Sequence, residues 1–203
     1  KSRAINLLSA ARLFLFGARD VWFVVALPVF LAESLGWDFW WIGGFMAAWV
    51  IGYGIVQSAA PWFTGRRSNK LPDGKAAFVW ATVLAAIPAV MALLLLNGQD
   101  PQTVVVAGLA LFGVLFAINS SMHSYLIVSY AGEDGVSLDG GVYYMAKAMG
   151  RLMGTIVSGW VFQISGLEAC LWISAVFVGM AAMFSLALPR HRQAAISVDT
   201  GEA

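Results

Sequence analysis

SAARLFLFGARDVWFVVALPVFLAE, Ser9 to Glu33, is long and apolar enough to cross a bilayer, yet it carries Arg12, Arg19 and Asp20. A spanning helix needs roughly 20 mostly apolar residues, each rising about 1.5 Å. A charge near the bilayer centre costs about 2.5 to 3.5 kcal/mol on insertion scales, so three on one helix point to a functional site. Arg12 and Arg19, seven residues apart, fall on nearly one face, about 10 Å apart along the axis. Asp20 projects a quarter-turn away. Side chains that meet on a helix stand three or four apart, so Asp20 is expected to be poorly placed to neutralise either arginine within its own helix. Two cations are thereby left for an anion from elsewhere.

The surrounding composition agrees with a membrane setting. The 203 residues are 60% hydrophobic and 11% charged, with 21 Gly and 9 Trp, and the mean hydropathy is +0.78. Such a chain does not build a soluble core. The net charge of +1 says little, because in a membrane protein the position of each charge matters more than the sum. Cys170 is the one cysteine, which excludes an internal disulfide and reads as a small buried residue. The chain starts at Lys1 with no cleavable signal, and a fragment of a longer protein or a natural half are both open.

Six apolar segments follow one another, at about 5–35, 39–63, 76–96, 103–131, 141–164 and 168–188. They define an all-α membrane domain over residues 1–190 and a disordered cytoplasmic tail over 191–203. Turn residues separate the segments: Gly36 and Asp38, then Ser68 to Gly74, then Asn97, Gly98 and Pro101, then 132–140, then Ser165 and Gly166. Of the 12 Lys and Arg, eight (Lys1, Arg3, Arg66, Arg67, Lys70, Lys75, Arg190 and Arg192) fall in termini and alternate loops that share one side. The positive-inside bias makes that side, and both termini, cytoplasmic. The opposite loops carry Glu33, Asp38, Asp100 and Glu168, and Trp37, Phe39, Trp40 and Trp41 form an outer aromatic belt, with Trp62 and Phe63 near the inner surface.

The third and sixth segments have uncharged apolar cores, whereas the first, fourth and fifth hold the intramembrane polar groups. This period of three fits two inverted three-helix repeats, with the third helix of each outermost against lipid. Gly44, Ala48 and Gly52 in the second segment, and Gly150, Gly154 and Ser158 in the fifth, stand four apart and predict close helix packing. Gly17, Pro28 and Pro88 are expected to kink their helices.

Lys147 and Arg151 share a face of the fifth segment. With Arg12 and Arg19 they set four cations against the single acid Asp20, an excess of three positive charges where unpaired charge is expensive. An anionic ligand explains the excess. The alternative is structural, with Lys147 reaching the inner headgroups, Arg12 the interface, and Asp20 paired with Arg151. In the fourth segment Asn119 and His123 share a face with a run of serines. They suit a water-lined wall that contacts substrate, and His123 or Asp20 could carry a proton; interhelical hydrogen bonding is the other reading. Tyr143 and Tyr144 read as interfacial anchors. No phosphate-binding loop, metal-binding histidine pair or Cys-x-x-Cys is present, so no catalytic residue, metal or other cofactor, or nucleic-acid partner is expected.

Six segments with both ends inside, polar groups on the first, fourth and fifth, and Gly65-Arg66-Arg67 after the second resemble one half of a major facilitator superfamily transporter. The motif's usual acidic residue is absent, with Ala59, Ala60 and Pro61 nearby. More specifically, AARLFLFGARDVWFVVALPVFLAESLGWDFWWIGGF, Ala10 to Phe45, and WVIGYGIVQSAAP, Trp49 to Pro61, resemble the C-terminal half of the organoarsenical efflux permease family, ArsJ. That resemblance implies export of 1-arseno-3-phosphoglycerate from a bacterial inner membrane, conferring arsenate resistance. It also implies a functional link to a glyceraldehyde-3-phosphate dehydrogenase that makes the ester, and a second six-helix half preceding Lys1. Arg12, Arg19, Lys147 and Arg151, with Asn119 and His123, are the expected substrate contacts. Another anionic metabolite, such as a sugar phosphate, or a non-transporting membrane subunit are the alternatives.

The topology is directly testable. Alkaline phosphatase fused after Gly98 is expected to be active, and fusions after Asn69 or Ala203 inactive; activity in the reverse pattern overturns the orientation.

Overall fold

The computed structural model describes residues 3–64, 74–130 and 136–188. The Gly65–Arg67 cluster, the tail over 191–203 and much of the acidic segment 132–140 lie outside the described residues, as do the side chains of Trp62 and Phe63. Within them the chain is helical: α1 (Arg3–Phe23), α2 (Ala26–Glu33), α3 (Phe39–Thr64), α4 (Gly74–Leu96), α5 (Pro101–Tyr130) and α6 (Val136–Leu186). Five helical stretches are long and apolar enough to cross a membrane, with α1 and α2 counting as one.

The break between α1 and α2 follows from Pro28, which has no N–H to offer the carbonyl of Val24. The amide of Ala26, released from the regular ladder, donates instead to Ser158 Oγ at 3.1 Å. The first span is thus interrupted upstream of its proline. α1 runs unbroken through Gly17, and α4 through Pro88.

α6 has 51 residues, which if straight would reach about 76 Å, more than twice a hydrocarbon core of about 30 Å. Gly166 resolves this with φ 74° and ψ −171°, a conformation open to glycine and costly to residues with a Cβ. The two arms, 136–165 and 167–186, turn back on each other: Cys170 Sγ lies 3.9 Å from the carbonyl of Ser158. Gly17 of α1 faces the Gly150 carbonyl on the first arm and the Phe177 ring on the second. Other ends are capped by short-range chemistry. Gly98 (φ 73°) closes α4 with bonds from Gly98 N to Leu95 O and from Gln99 N to Leu94 O, both satisfying free carbonyls. Asp100 caps α5 by accepting from Thr103 N at 2.8 Å, with Pro101 in the first helical position. The Thr103 hydroxyl first, then its amide, holds the exposed Asp100 carboxyl below the ordinary carboxylate range.

A core of Leu15, Val21, Trp22, Leu27, Leu84, Leu109, Phe112 and Phe116 sits where α1, α4, α5 and the second arm meet. Small residues decide how closely the helices approach. A Cβ at Gly150 would strike the Leu13 carbonyl, and one at Gly154 would lie 2.6 Å from Gly17 O, so the first arm packs backbone to backbone against α1. The matching expectation for α3 fails: Gly44 and Gly52 have nothing within 4 Å of a built Cβ. Small-residue spacing permits close approach but does not name the partner. Nor is the third span the outermost. None of the most apolar stretch of α3 is buried, against 28% for α4, because α4 places Gly74 against Ser185 and Ala77, Ala81 and Leu84 in the interior.

Gly154→Leu is expected to lower thermal stability in detergent by several degrees, in line with about 1 to 3 kcal/mol for overpacking, while Gly159→Leu, with open space around it, leaves it within about one degree. Equal effects of the two would remove the backbone contact as the cause.

Candidate functional site

Arg12, Phe16 and Arg19 occupy positions i, i+4 and i+7 of α1, one continuous face. The close contact at Gly150 and Gly154 brings the first arm of α6, with Lys147 and Arg151, against that face. The Phe16 ring becomes the centre of a cationic cluster: the Arg12 guanidinium lies 4.3 Å from its centroid, the Lys147 ammonium 4.8 Å and the Arg19 guanidinium 5.2 Å. Arg19 also lies 5.5 Å from the Phe116 ring.

Asp20 ties the two helices together. Its Oδ1 accepts from Arg19 Nε at 2.6 Å and its Oδ2 from Arg151 Nε at 3.0 Å. This corrects the expectation that Asp20 cannot neutralise an arginine of its own helix. Helical spacing describes Cβ positions, and the arginine stem is long enough to curl back to the neighbouring carboxylate. The pairing with Arg151 is the one the structural alternative anticipated. Asp20 is buried, while the Arg151 side chain is 54% exposed, so the cluster opens toward the outside of the bundle on the first arm.

Arg12 is 2% exposed and has no carboxylate. Its Nη1 donates to Ser120 O at 3.0 Å and Ser120 Oγ at 3.2 Å, and its Nε is buried without a partner. Gln57 of α3 reaches the same Ser120 hydroxyl at 3.4 Å. Arg12 therefore does not extend to the interface, and Lys147 folds onto Phe16 instead of reaching the headgroups. Tyr143, expected as an interfacial anchor, is fully buried with its ring 4.9 Å from the Arg12 guanidinium. Stacking on an aromatic face offsets part of the cost of burying a cation, as a pocket wall does and a membrane surface does not.

Asn119 and His123 are not part of this cluster. Asn119 Nδ2 donates to Trp80 O of α4 at 3.1 Å and to Leu115 O at 2.9 Å. His123 is fully buried with Nε2 3.4 Å from Ser185 Oγ on the second arm, and its Nδ1 has no partner. The Ser185 hydroxyl donates to Ala181 O at 2.8 Å, which leaves its lone pairs to accept from Nε2–H. Both residues hold helices together, the other reading open to them. What pattern reading missed are the partners Phe16, Ser120, Tyr143 and Gln57. Phe16 alone was within reach of it, standing four after one arginine and three before the other.

The balance of charge decides what the cluster can do. Four cations and one carboxylate leave three positive charges in excess. Cations lying 4.3, 4.8 and 5.2 Å from one ring centroid stand at most about 10 Å apart and repel by roughly 1.7 kcal/mol or more per pair at an effective dielectric near 20, and a cation on an aromatic face recovers about 0.5 to 2 kcal/mol. A multiply charged anion relieves the remainder. Among the described residues no group of three or more His, Cys, Asp or Glu could hold a metal ion. No protein-family model matches the chain, and no curated protein matches it.

Removing the shared carboxylate leaves two arginines unneutralised. Asp20→Ala is expected to cost about 3 to 5 kcal/mol in unfolding measured in detergent, whereas Arg151→Gln, on a half-exposed partner, costs about 1 kcal/mol or less. A neutral Asp20→Ala would mean that the bridge holds nothing.

Proposed function

We propose that the chain is one half of a major-facilitator-type efflux transporter, six spans in two inverted repeats, that exports an organic arsenate ester, 1-arseno-3-phosphoglycerate, by alternating access across a bacterial inner membrane. The observation that carries the reading is the excess of positive charge gathered around the buried Phe16 ring, with Arg151 beside it at the exposed face of the first arm. An ester bearing arsenate, phosphate and carboxylate groups is polyanionic, and guanidinium groups suit its oxygens. Arg12, Arg19, Lys147 and Arg151 are the substrate contacts in this reading. Asp20 is the proton carrier it favours, since Asp20 touches two of those cations and His123 touches none.

Two further features support it. The fold of α6 back on itself at Gly166 gives its two arms the antiparallel relation that six passes with both ends cytoplasmic require. The exposed apolar residues Met145, Met149, Leu152, Ile156, Trp160 and Ile164 run along the first arm beside Arg151, and α3 exposes its apolar stretch as well. A second six-helix half laid on these faces would close the cationic cluster into a cavity. The same charges would serve a sugar phosphate. The Asp20 bridge between α1 and α6 favours a second reading, a membrane subunit in which the charges are structural.

The test is arsenic accumulation in everted membrane vesicles supplied with arsenate, a glyceraldehyde-3-phosphate dehydrogenase and its substrates, with a transporter containing this half. The expected result is accumulation that requires the dehydrogenase and falls at least about tenfold in Arg19→Ala, the loss of one charge-assisted contact. Accumulation indifferent to the dehydrogenase overturns the ester, and full activity of Arg19→Ala favours the structural reading.

A further inference from the structure

The two bonds that Asp20 accepts both come from Nε atoms, one to each carboxylate oxygen. A guanidinium has five N–H donors in a planar fork, and its Nε edge and its Nη edge are distinct faces of that plane. Held by Nε, Arg19 and Arg151 each leave the end-on pair of N–H donors, one on each Nη, unused by the carboxylate. Among the described residues those terminal donors take part in no hydrogen bond. Each guanidinium is fixed at its stem and, among the described residues, has no protein partner at its tip.

We propose that Asp20 is a positioning residue for a tetrahedral oxyanion, a phosphate or arsenate monoester group, bound by the Nη edges of Arg19 and Arg151 with the Lys147 ammonium as the third cation. The inference rests on the transporter reading only for the ester's identity, not for the oxyanion itself. Three observations converge. Asp20 is fully buried and its two oxygens are divided between two helices, so it sets the angle between the guanidinium planes. Arg19 is further confined by the Phe16 and Phe116 rings, 5.2 and 5.5 Å away. The Arg151 side chain is 54% exposed, which leaves its tip reachable without unfolding the bundle. A single buried carboxylate beside an anion site otherwise works against anion binding, because like charges repel. Its value must then come from geometry, since two guanidinium tips fixed in advance lose less freedom on binding.

The two explanations predict opposite signs. A carboxylate that merely opposes or competes with the anion makes Asp20→Asn bind inorganic phosphate more tightly. A positioning carboxylate makes Asp20→Asn bind more weakly, because the amide offers one acceptor oxygen where two are needed, and makes Asp20→Glu weaker too, with charge unchanged.

The experiment is calorimetric titration of inorganic phosphate into the full chain in detergent micelles, for the unsubstituted protein, Asp20→Asn, Asp20→Glu and Arg151→Lys. The last variant retains the charge at the more exposed partner, so it keeps the test open if the Asp20 variants do not fold. Lysine carries its three donors on one freely rotating nitrogen, so it has no rigid plane with separate side-on and end-on edges to hold carboxylate and anion at two fixed places. The expected result is at least about a tenfold loss of affinity for Arg151→Lys and for each folded Asp20 variant. Tighter binding by Asp20→Asn, unchanged binding by Arg151→Lys, or no phosphate binding by the unsubstituted chain overturns the inference. Phosphate binding with these losses, but without accumulation of arsenic in vesicles, would leave the positioning role standing and remove the transport reading.

Discussion

A single carboxylate shared between two arginines is the constraint on which the arrangement of α1 and α6 depends. Asp20 cannot be buried with its charge alone in an apolar bundle, and neither can Arg19. Bringing them together with Arg151 pairs both carboxylate oxygens and partly neutralises the two arginines, which the backbone contact of α1 with the first arm of α6 permits. Gly150 and Gly154 supply that approach. Charge pairing and small-residue packing are therefore one requirement expressed twice, and either without the other would leave an uncompensated group in the membrane interior.

The other cations follow from this contact. Once the first arm lies against α1, Lys147 arrives beside Phe16, the ring already flanked by Arg12 below and Arg19 above. Arg12 goes deeper and is held by a serine backbone, a serine hydroxyl and two aromatic faces. These neutral partners orient the guanidinium without cancelling its charge. The cluster so combines a partly neutralised end at Asp20 with an uncompensated end at Arg12 and Lys147.

Much of this was legible in the sequence, and the limits are physical. Apolar run length revealed the helical membrane class, and the cost of intramembrane charge picked out Arg12, Arg19, Asp20, Lys147 and Arg151. Helical spacing misjudged Asp20, since it fixes where a side chain starts and not how far an arginine reaches. It left Asn119 and His123 open between two readings, because a polar residue on α5 looks the same whether it faces a cavity or a neighbouring helix. The glycine pattern of α3 equals that of α6 in spacing, yet one pair meets a partner and the other meets none. Periodicity describes one helix, and packing belongs to two. Ser120 was visible only as one serine of a polar run and Tyr143 only as an anchor, because their role exists only in contact with Arg12.

The rigidity of the α1–α6 contact bears on electrical behaviour. Five charged groups fastened to two helices in backbone contact form a unit of charge near +3, which under the transport proposal moves as one. Each elementary charge carried across a membrane potential of 100 mV is worth about 2.3 kcal/mol, so displacing this unit through even a tenth of the field involves an energy comparable to the thermal energy. An anion of matching charge would cancel that coupling. Under that proposal the empty bundle would feel the voltage, and the loaded one would move almost free of it.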